Sequence, residues 1–370
     1  MISKDDILKA LSRVKDPKLG KDLVKLDAVT HIDIKDKTVA LRLSLNAPSV
    51  QSKMQIRKAC TDAIRTSLGE DVVVKISITN IVTNHRKQSG NHLSGVKNII
   101  AVASGKGGVG KSTVAANLAL SLARDEAKKV GLMDADIYGP SAPTMFGIRG
   151  ERPKMAKVNG KGMIVPLERY GIKIISMGLL VDEKQATVWR GPMVSSAIKQ
   201  FVSDVYWGEL DYLIIDLPPG TGDIHLTMVQ TIPVTGVVIV TTPQQVALAD
   251  ARKGVSMFST GNIKVPVLGI IENMSYFTPP ELPDNKYYIF GKEGGKRLCR
   301  DYNIPLLGQI PIVESICEGG DVGVPAMMGD DEITKAAFAD FAKETERQVA
   351  KRKANLDPTE VVKITEYRQH

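Results

Sequence analysis

Residues 98–123 read NIIAVASGKGGVGKSTVAANLALSLA, an apolar run, a glycine-rich turn and a helix-competent stretch in succession. No other segment limits the possible folds so sharply. Gly105, Gly107, Gly108 and Gly110 let the backbone turn without Cβ clashes, so successive amide N–H groups can point at a single anion. The spacing GxxxxGK[ST] from Gly105 to Ser112, placed between a strand and a helix, is that of a phosphate-binding loop. Phosphates are then expected at the head of the helix, where unpaired amides and the helix dipole favour negative charge. Lys111 is expected to reach the β- and γ-phosphates of ATP and the Ser112 hydroxyl to ligate Mg²⁺. Lys106, Val109 and Thr113 complete the segment expected to contact nucleotide, and Lys106 adds a second cation able to stabilise transition-state charge.

Two acidic segments follow further apolar runs. Val130–Asp136 (VGLMDAD) carries Asp134 and Asp136 to the end of a strand, the edge at which open α/β sheets bind ligands. Either acid could orient an attacking water. Tyr212–Asp223 (YLIIDLPPGTGD) is a buried strand ending in Asp216, followed by a Pro/Gly run. That layout suits a magnesium-holding carboxylate, Asp216, next to a loop that repositions with the γ-phosphate. Taken singly, each acid also fits a helix cap or a turn.

The short apolar runs 98–103, 130–133, 212–215, 237–241 and 267–271 alternate with helical or Gly-rich segments. This pattern predicts an α/β fold, a doubly wound, mostly parallel sheet, over residues 97–349. Ahead of it, helices over 4–14 and about 50–68 and strands over 28–34, 38–45 and 72–78 predict a small α+β domain at 1–83. Residues 84–96 (NHRKQSGNHLSGV) break all periodicity and read as a linker, and 350–370 as a tail.

Composition narrows the function classes. The formal charge of +8 comes from 49 basic and 41 acidic residues. The basic residues are dispersed, and the clusters Arg86-Lys87 and Lys351–Lys353 read as connector and terminus, which argues against a nucleic-acid surface. Cys60, Cys299 and Cys317 are distant and odd in number, as in a reducing compartment. With no apolar run of about 18 residues and no signal-like N-terminus, the expectation is a cytoplasmic protein that does not enter a membrane.

The phosphate loop, Asp134–Ser141 (DADIYGPS), Trp189–Met193 (WRGPM), Asp216–Asp223 and Gly269–Ser275 (GIIENMS) occur in this order. With them the chain closely resembles the Mrp/ApbC iron–sulfur cluster carrier ATPases of the deviant Walker A class, over nearly its whole length. Residues 2–80, including Val14-Lys15-Asp16-Pro17, resemble the small domain that precedes the ATPase core in many bacterial members. The resemblance implies a homodimeric, slow ATPase that binds an iron–sulfur cluster and passes it to apoproteins or assembly partners. It also implies that Lys106 reaches the nucleotide of a second subunit, that Asn273 contacts adenine, and that Ile310-Pro311-Ile312 borders the base pocket.

One departure concerns the cargo. Members of the family carry a CxxC pair just beyond the NMS segment that bridges a [4Fe–4S] cluster between subunits. In this chain Pro279 and Leu282 stand where those cysteines are expected, neither can ligate iron, and the sequence offers no identifiable set of iron ligands. A carrier using other ligands and a clusterless, client-binding dimeric ATPase are both compatible with that. Positioning ATPases, which place division sites or plasmids, share the loop. Their membrane-binding members need a terminal amphipathic helix, which Lys351–His370, interrupted by Pro358, does not resemble.

Overall fold

A computed structural model describes residues 4–14, 22–24, 28–35, 38–46, 50–81, 93–158, 160–180, 191–259, 265–279, 281–357, 359 and 361–362. The Lys15–Pro17 motif, Asp36-Lys37 between the first two expected strands, most of the expected linker and Trp189-Arg190 lie outside the described residues. The chain divides into two compact units, residues 1–83 with 351–358 and residues 84–350 with 359–370.

The first unit contains α1 (Lys4–Leu11), β1 (Val29–Lys35), β2 (Thr38–Asn46), α2 (Val50–Leu68) and β3 (Val73–Ile81). Its sheet runs β1-β2-β3, antiparallel then parallel, so α2 makes the crossover that a parallel pair requires. Val39, Leu41 and Leu43 alternate inward along β2 against Ile56, Cys60 and Ile64, which recur every fourth residue on α2. Burial pushes the Cys60 thiol up to about 12, leaving it an inert core side chain.

The second unit runs β4 (Val96–Ser104), α3 (Lys111–Ala123), β5 (Val130–Asp134), α4 (Ala142–Met145), β6 (Lys154–Val158), β7 (Lys161–Val165), β8 (Leu167–Arg169) and β9 (Ile172–Ser176). It continues with α5 (Gly191–Asp204), β10 (Leu210–Asp216), α6 (Asp223–Thr231), β11 (Gly236–Thr241), α7 (Gln245–Ser259), β12 (Val267–Glu272) and α8 (Gly294–Tyr302). β13 (Leu306–Gln309), α9 (Glu314–Val322) and α10 (Glu332–Asn355) up to residue 350 complete it. α10 continues past the point at which the sequence pattern suggests a tail.

The eight-stranded sheet has the order β13-β12-β11-β4-β10-β5-β9-β8, and only the edge strand β8 pairs antiparallel. Why its strands are apolar throughout is visible in β4. Ile99, Ala101 and Ala103 pack into one core while Ile100 and Val102 pack into another, so both faces are covered by helices. β6 and β7 form a separate hairpin. β8, β9 and β13 escape the sequence pattern because they are short and carry charged or polar residues such as Glu168, Lys173 and Gln309.

The central strands place the chemistry. β10 lies between β4 and β5, with Asp216 in register with Val102 on one side and Asp134 on the other. α3 is fixed behind them by Asn117, which is 1% exposed. Its side chain donates to the Thr113 carbonyl and accepts from the Met327 amide at 2.8 Å. Asn117→Ala leaves that amide unsatisfied in the core and is expected to cost about 1–3 kcal/mol in urea denaturation.

Candidate functional site

Gly110 is the pivot of the glycine loop. Its φ of 77° lies in the left-handed region, and it caps α3 with no side-chain hydrogen bond, leaving the first-turn amides for another acceptor. A Cβ there would also collide with the amide of Asn273. Gly105 is constrained by packing, because a Cβ on it would enter the backbone of Asp250 in α7. The loop forms one wall of a cleft of about 270 Å³, with Asp136, Gly139, Ser141, Met145 and Pro219 opposite. Lys106, Gly107, Gly108, Val109, Gly110, Lys111, Ser112 and Thr113 all line it.

Lys111 is only 6% exposed, and its Nζ is held by three oxygens. It donates to Asp216 Oδ1 at 2.5 Å and to Ser112 Oγ at 3.3 Å, and pairs with Asp136 Oδ2 at 3.6 Å. The Ser112 hydroxyl is also hydrogen-bonded to Asp216. Burial raises the Asp216 carboxyl above its ordinary range, while Lys111 and Ser112 oppose that rise. A lysine compensated by carboxylates at the head of a helix is a cation already desolvated and aimed, which phosphate oxygens can take over.

The two acids of Asp134-Ala135-Asp136 separate into different environments. Asp134 does not line the cleft. It is buried behind it, accepting from the Asp136 amide, the Ala142 amide and Ser176 Oγ at 3.1, 3.1 and 2.8 Å. Burial and the neighbouring Asp216 charge push its carboxyl up to about 7, with those three donors pulling the other way. Asp136 lines the cleft. One oxygen accepts from the Tyr138 and Gly139 amides, both at 3.3 Å, and the other faces Lys111. The Pro/Gly run after Asp216 is tied to β4 by Gly220 N–H donating to the Ser104 carbonyl at 2.9 Å.

The remaining expected residues lie deeper or point elsewhere. Asn273 is buried and donates to the Val109 carbonyl at 2.9 Å, so it grips the loop from beneath. Pro311 is buried, and neither it nor Asn273 lines the phosphate cleft. Lys106 is half-buried at the cleft mouth and makes no ion pair among the described residues. Pro279 and Leu282 lie in one turn, closed by Leu282 N–H donating to the Pro279 carbonyl at 3.0 Å. Among the described residues no group of three or more His, Cys, Asp or Glu side chains is placed to hold a metal ion.

Among the buried polar residues that the sequence pattern does not single out are Ser176 at the end of β9 and Glu272 at the end of β12. Their signal is the one that marked Asp134 and Asp216, a polar residue ending an apolar run at the sheet's carboxyl edge.

Residues 95–346 match the NUBPL iron-transfer P-loop NTPase family, and residues 4–78 match a family of iron–sulfur cluster assembly proteins. The chain belongs to the NUBPL iron-transfer P-loop NTPase family. An iron–sulfur cluster carrier protein of Synechocystis is 45% identical over 352 residues, covering 95% of this chain and 99% of that relative. An Arabidopsis thaliana mitochondrial iron–sulfur protein required for NADH dehydrogenase is 47% identical over 266 residues, covering 72% of this chain and 83% of its own length. Among solved structures, a nucleotide-binding protein of Archaeoglobus fulgidus in complex with ADP is 39% identical. It superposes with a TM-score of 0.56 over 66% of this chain and 94% of that one. Membership in this NTPase family agrees with the cleft geometry, and nucleotide binding is the property the glycine loop is built for. Gly110→Ala places a side chain on a left-handed residue and into Asn273, so nucleotide affinity measured by calorimetry is expected to fall at least tenfold, about 1.4 kcal/mol.

Proposed function

We propose that this chain is an ATP-hydrolysing iron–sulfur cluster carrier or assembly factor that delivers its cargo to apoproteins. The observation that carries the nucleotide half is the placement of Lys111 between Asp216, Asp136 and Ser112 beneath an uncapped helix head. In this reading the loop amides from Gly107 to Thr113 bind the triphosphate, and Lys111 leaves its carboxylates for the β- and γ-phosphates. The Ser112 hydroxyl and Asp216 form an all-oxygen donor set that fits a hard cation, so these two residues would hold Mg²⁺, Asp216 through water. Magnesium supplies charge neutralisation on the phosphates when bound.

Asp136 is the acid that orients the attacking water, because it reaches the cleft while Asp134 does not. Asp134 instead ties the Asp136 turn, α4 and Ser176 to the sheet. Lys106 acts on the nucleotide of a second copy in a homodimer, and its position at the cleft mouth is compatible with that. Asn273, which grips Val109, contacts adenine in this reading, and Pro311 borders the base pocket.

The cargo half is supported by family membership and by the carrier relatives. A second reading, a clusterless ATPase that binds clients in the same pathway, is favoured by Pro279 and Leu282 and by the burial of Cys60 and Cys299, both pushed up to about 12. A reducing cytoplasm suits either reading; no helix among the described residues is long and apolar enough to cross a membrane.

Lys111→Ala is expected to abolish hydrolysis and weaken ATP binding, whereas Lys106→Ala leaves the fold and nucleotide binding intact but lowers turnover. Calorimetry and phosphate release measured across a range of protein concentrations separate the two, and normal turnover in Lys111→Ala would remove the assignment. For the cargo, anaerobic reconstitution followed by transfer to an apo [4Fe–4S] protein is expected to yield chelator-resistant iron and sulfide on the acceptor. A chain that takes up no iron, alone or with a client, leaves the clusterless reading standing.

A further inference from the structure

Between β12 and α8 the chain forms a hairpin that is paired across its own base and tied to the residues after β13. Phe277 and Tyr287 exchange both backbone hydrogen bonds at 2.8 Å, and Ile312 N–H donates to the Tyr276 carbonyl at 2.7 Å. Lys286 lies over the Tyr276 ring at 4.1 Å and Lys292 over Tyr288 at 5.0 Å. Leu282, Tyr287 and Ile289 are 47%, 47% and 61% exposed, so the hairpin presents apolar side chains to solvent.

Both of its ends meet at one buried carboxylate. Glu272, 0% exposed and without an ion-pair partner among the described residues, closes β12. Its Oε1 accepts from Ser275 Oγ, at the start of the hairpin, and from Gln309 Nε2, each at 2.6 Å. Its Oε2 accepts from the Gly295 amide at 2.5 Å, in the first turn of the helix that leaves the hairpin. The chain also passes through left-handed, non-glycine residues at each end, Met274 with φ 53° and Glu293 with φ 57°. Such conformations persist only where the surroundings over-determine them, and they cluster at switching segments. Between Glu272 and Met274 lies Asn273, whose side chain holds the Val109 carbonyl of the phosphate loop.

We propose that Glu272 is a positioning residue that couples the phosphate loop to the aromatic hairpin, so that nucleotide occupancy changes how the hairpin is held. A shift of the Val109 carbonyl moves Asn273 and therefore the strained Met274 peptide. That peptide sets the distance from Ser275 to the carboxylate. Because the same carboxylate holds Gly295, a change at one end of the hairpin is felt at the other. The hairpin is paired internally at Phe277 and Tyr287 and is tied along Ser275–Phe277 to residues Ile310 and Ile312, so a shift at Ser275 is passed to both pairings. The proposal rests on the nucleotide-binding reading above and says nothing about which cargo the hairpin meets.

Hydrogen–deuterium exchange on the full chain, with and without Mg²⁺ and a slowly hydrolysed ATP analogue, tests it. In the natural sequence nucleotide is expected to change the exchange rate of hairpin amides, Phe277 and Tyr287 included, by about fivefold or more, the lower end of usual coupling strengths. Glu272→Gln is expected to bind the analogue in calorimetry but to lose that response. Ser275→Ala, which removes one donor and spares the rest, decides the matter where Glu272→Gln fails to fold. A hairpin indifferent to nucleotide in the natural sequence overturns the coupling, as does an unchanged response in both variants. Absence of any nucleotide binding overturns the nucleotide reading itself, and the coupling with it.

Discussion

A lysine ammonium taken out of water is expensive unless its charge is met at close range, and the second unit is organised around one such group. Lys111 is met because three parallel strands end at the same level. β4 delivers the glycine loop, β10 delivers Asp216 and β5 delivers the Asp134–Asp136 turn. Registers that slipped by one residue would turn these acids toward the opposite face of the sheet. The two apolar cores on either side of the sheet therefore do more than stabilise it, because they hold the register that brings charge to the cleft.

The same constraint separates two neighbouring acids. Asp134 ends its strand in register with Asp216, and two carboxylates so placed in a dry environment disfavour each other's ionisation. Three donors to Asp134 offset part of that cost and convert it into an anchor for the loop beyond. Two residues later the chain has turned, and Asp136 faces Lys111 at the cleft. Pattern alone left these two acids equivalent, since both follow one apolar run. What distinguishes them is Ser176 on β9, a contact across the sheet that no local spacing encodes.

Much of the rest was legible because its causes are local. The glycine loop needs glycine where φ is positive, and Gly110 has that conformation. The strands that bury both faces show as unbroken apolar runs, and the parallel sheet follows from their alternation with helices. The strands β8, β9 and β13, at or next to the edges of the sheet, were not legible, because they are short and their charged or polar residues erase the signal. For Asn273 the family resemblance implies a contact with adenine, and the fold adds a bond that no local spacing encodes, from its amide to a backbone carbonyl 164 positions earlier in the chain.

The cargo segment carries this contrast furthest. Pro279 and Leu282 supply no thiolate that could ligate a cluster, yet the segment between β12 and α8 is closely constrained. The hairpin is closed by paired backbone bonds, and its ends are gathered by Glu272 through strained residues. Strain of this kind costs about 1–3 kcal/mol per residue. A loop that only connected β12 to α8 could place glycine or asparagine at Met274 and Glu293 and avoid the expense. Under the proposed coupling, that strain in a hairpin with no thiolate at Pro279 and Leu282 separates two roles, the holding of a metal cluster and the response to nucleotide. In that coupling the second rests on Glu272, Ser275 and Gly295, none of which depends on a thiolate.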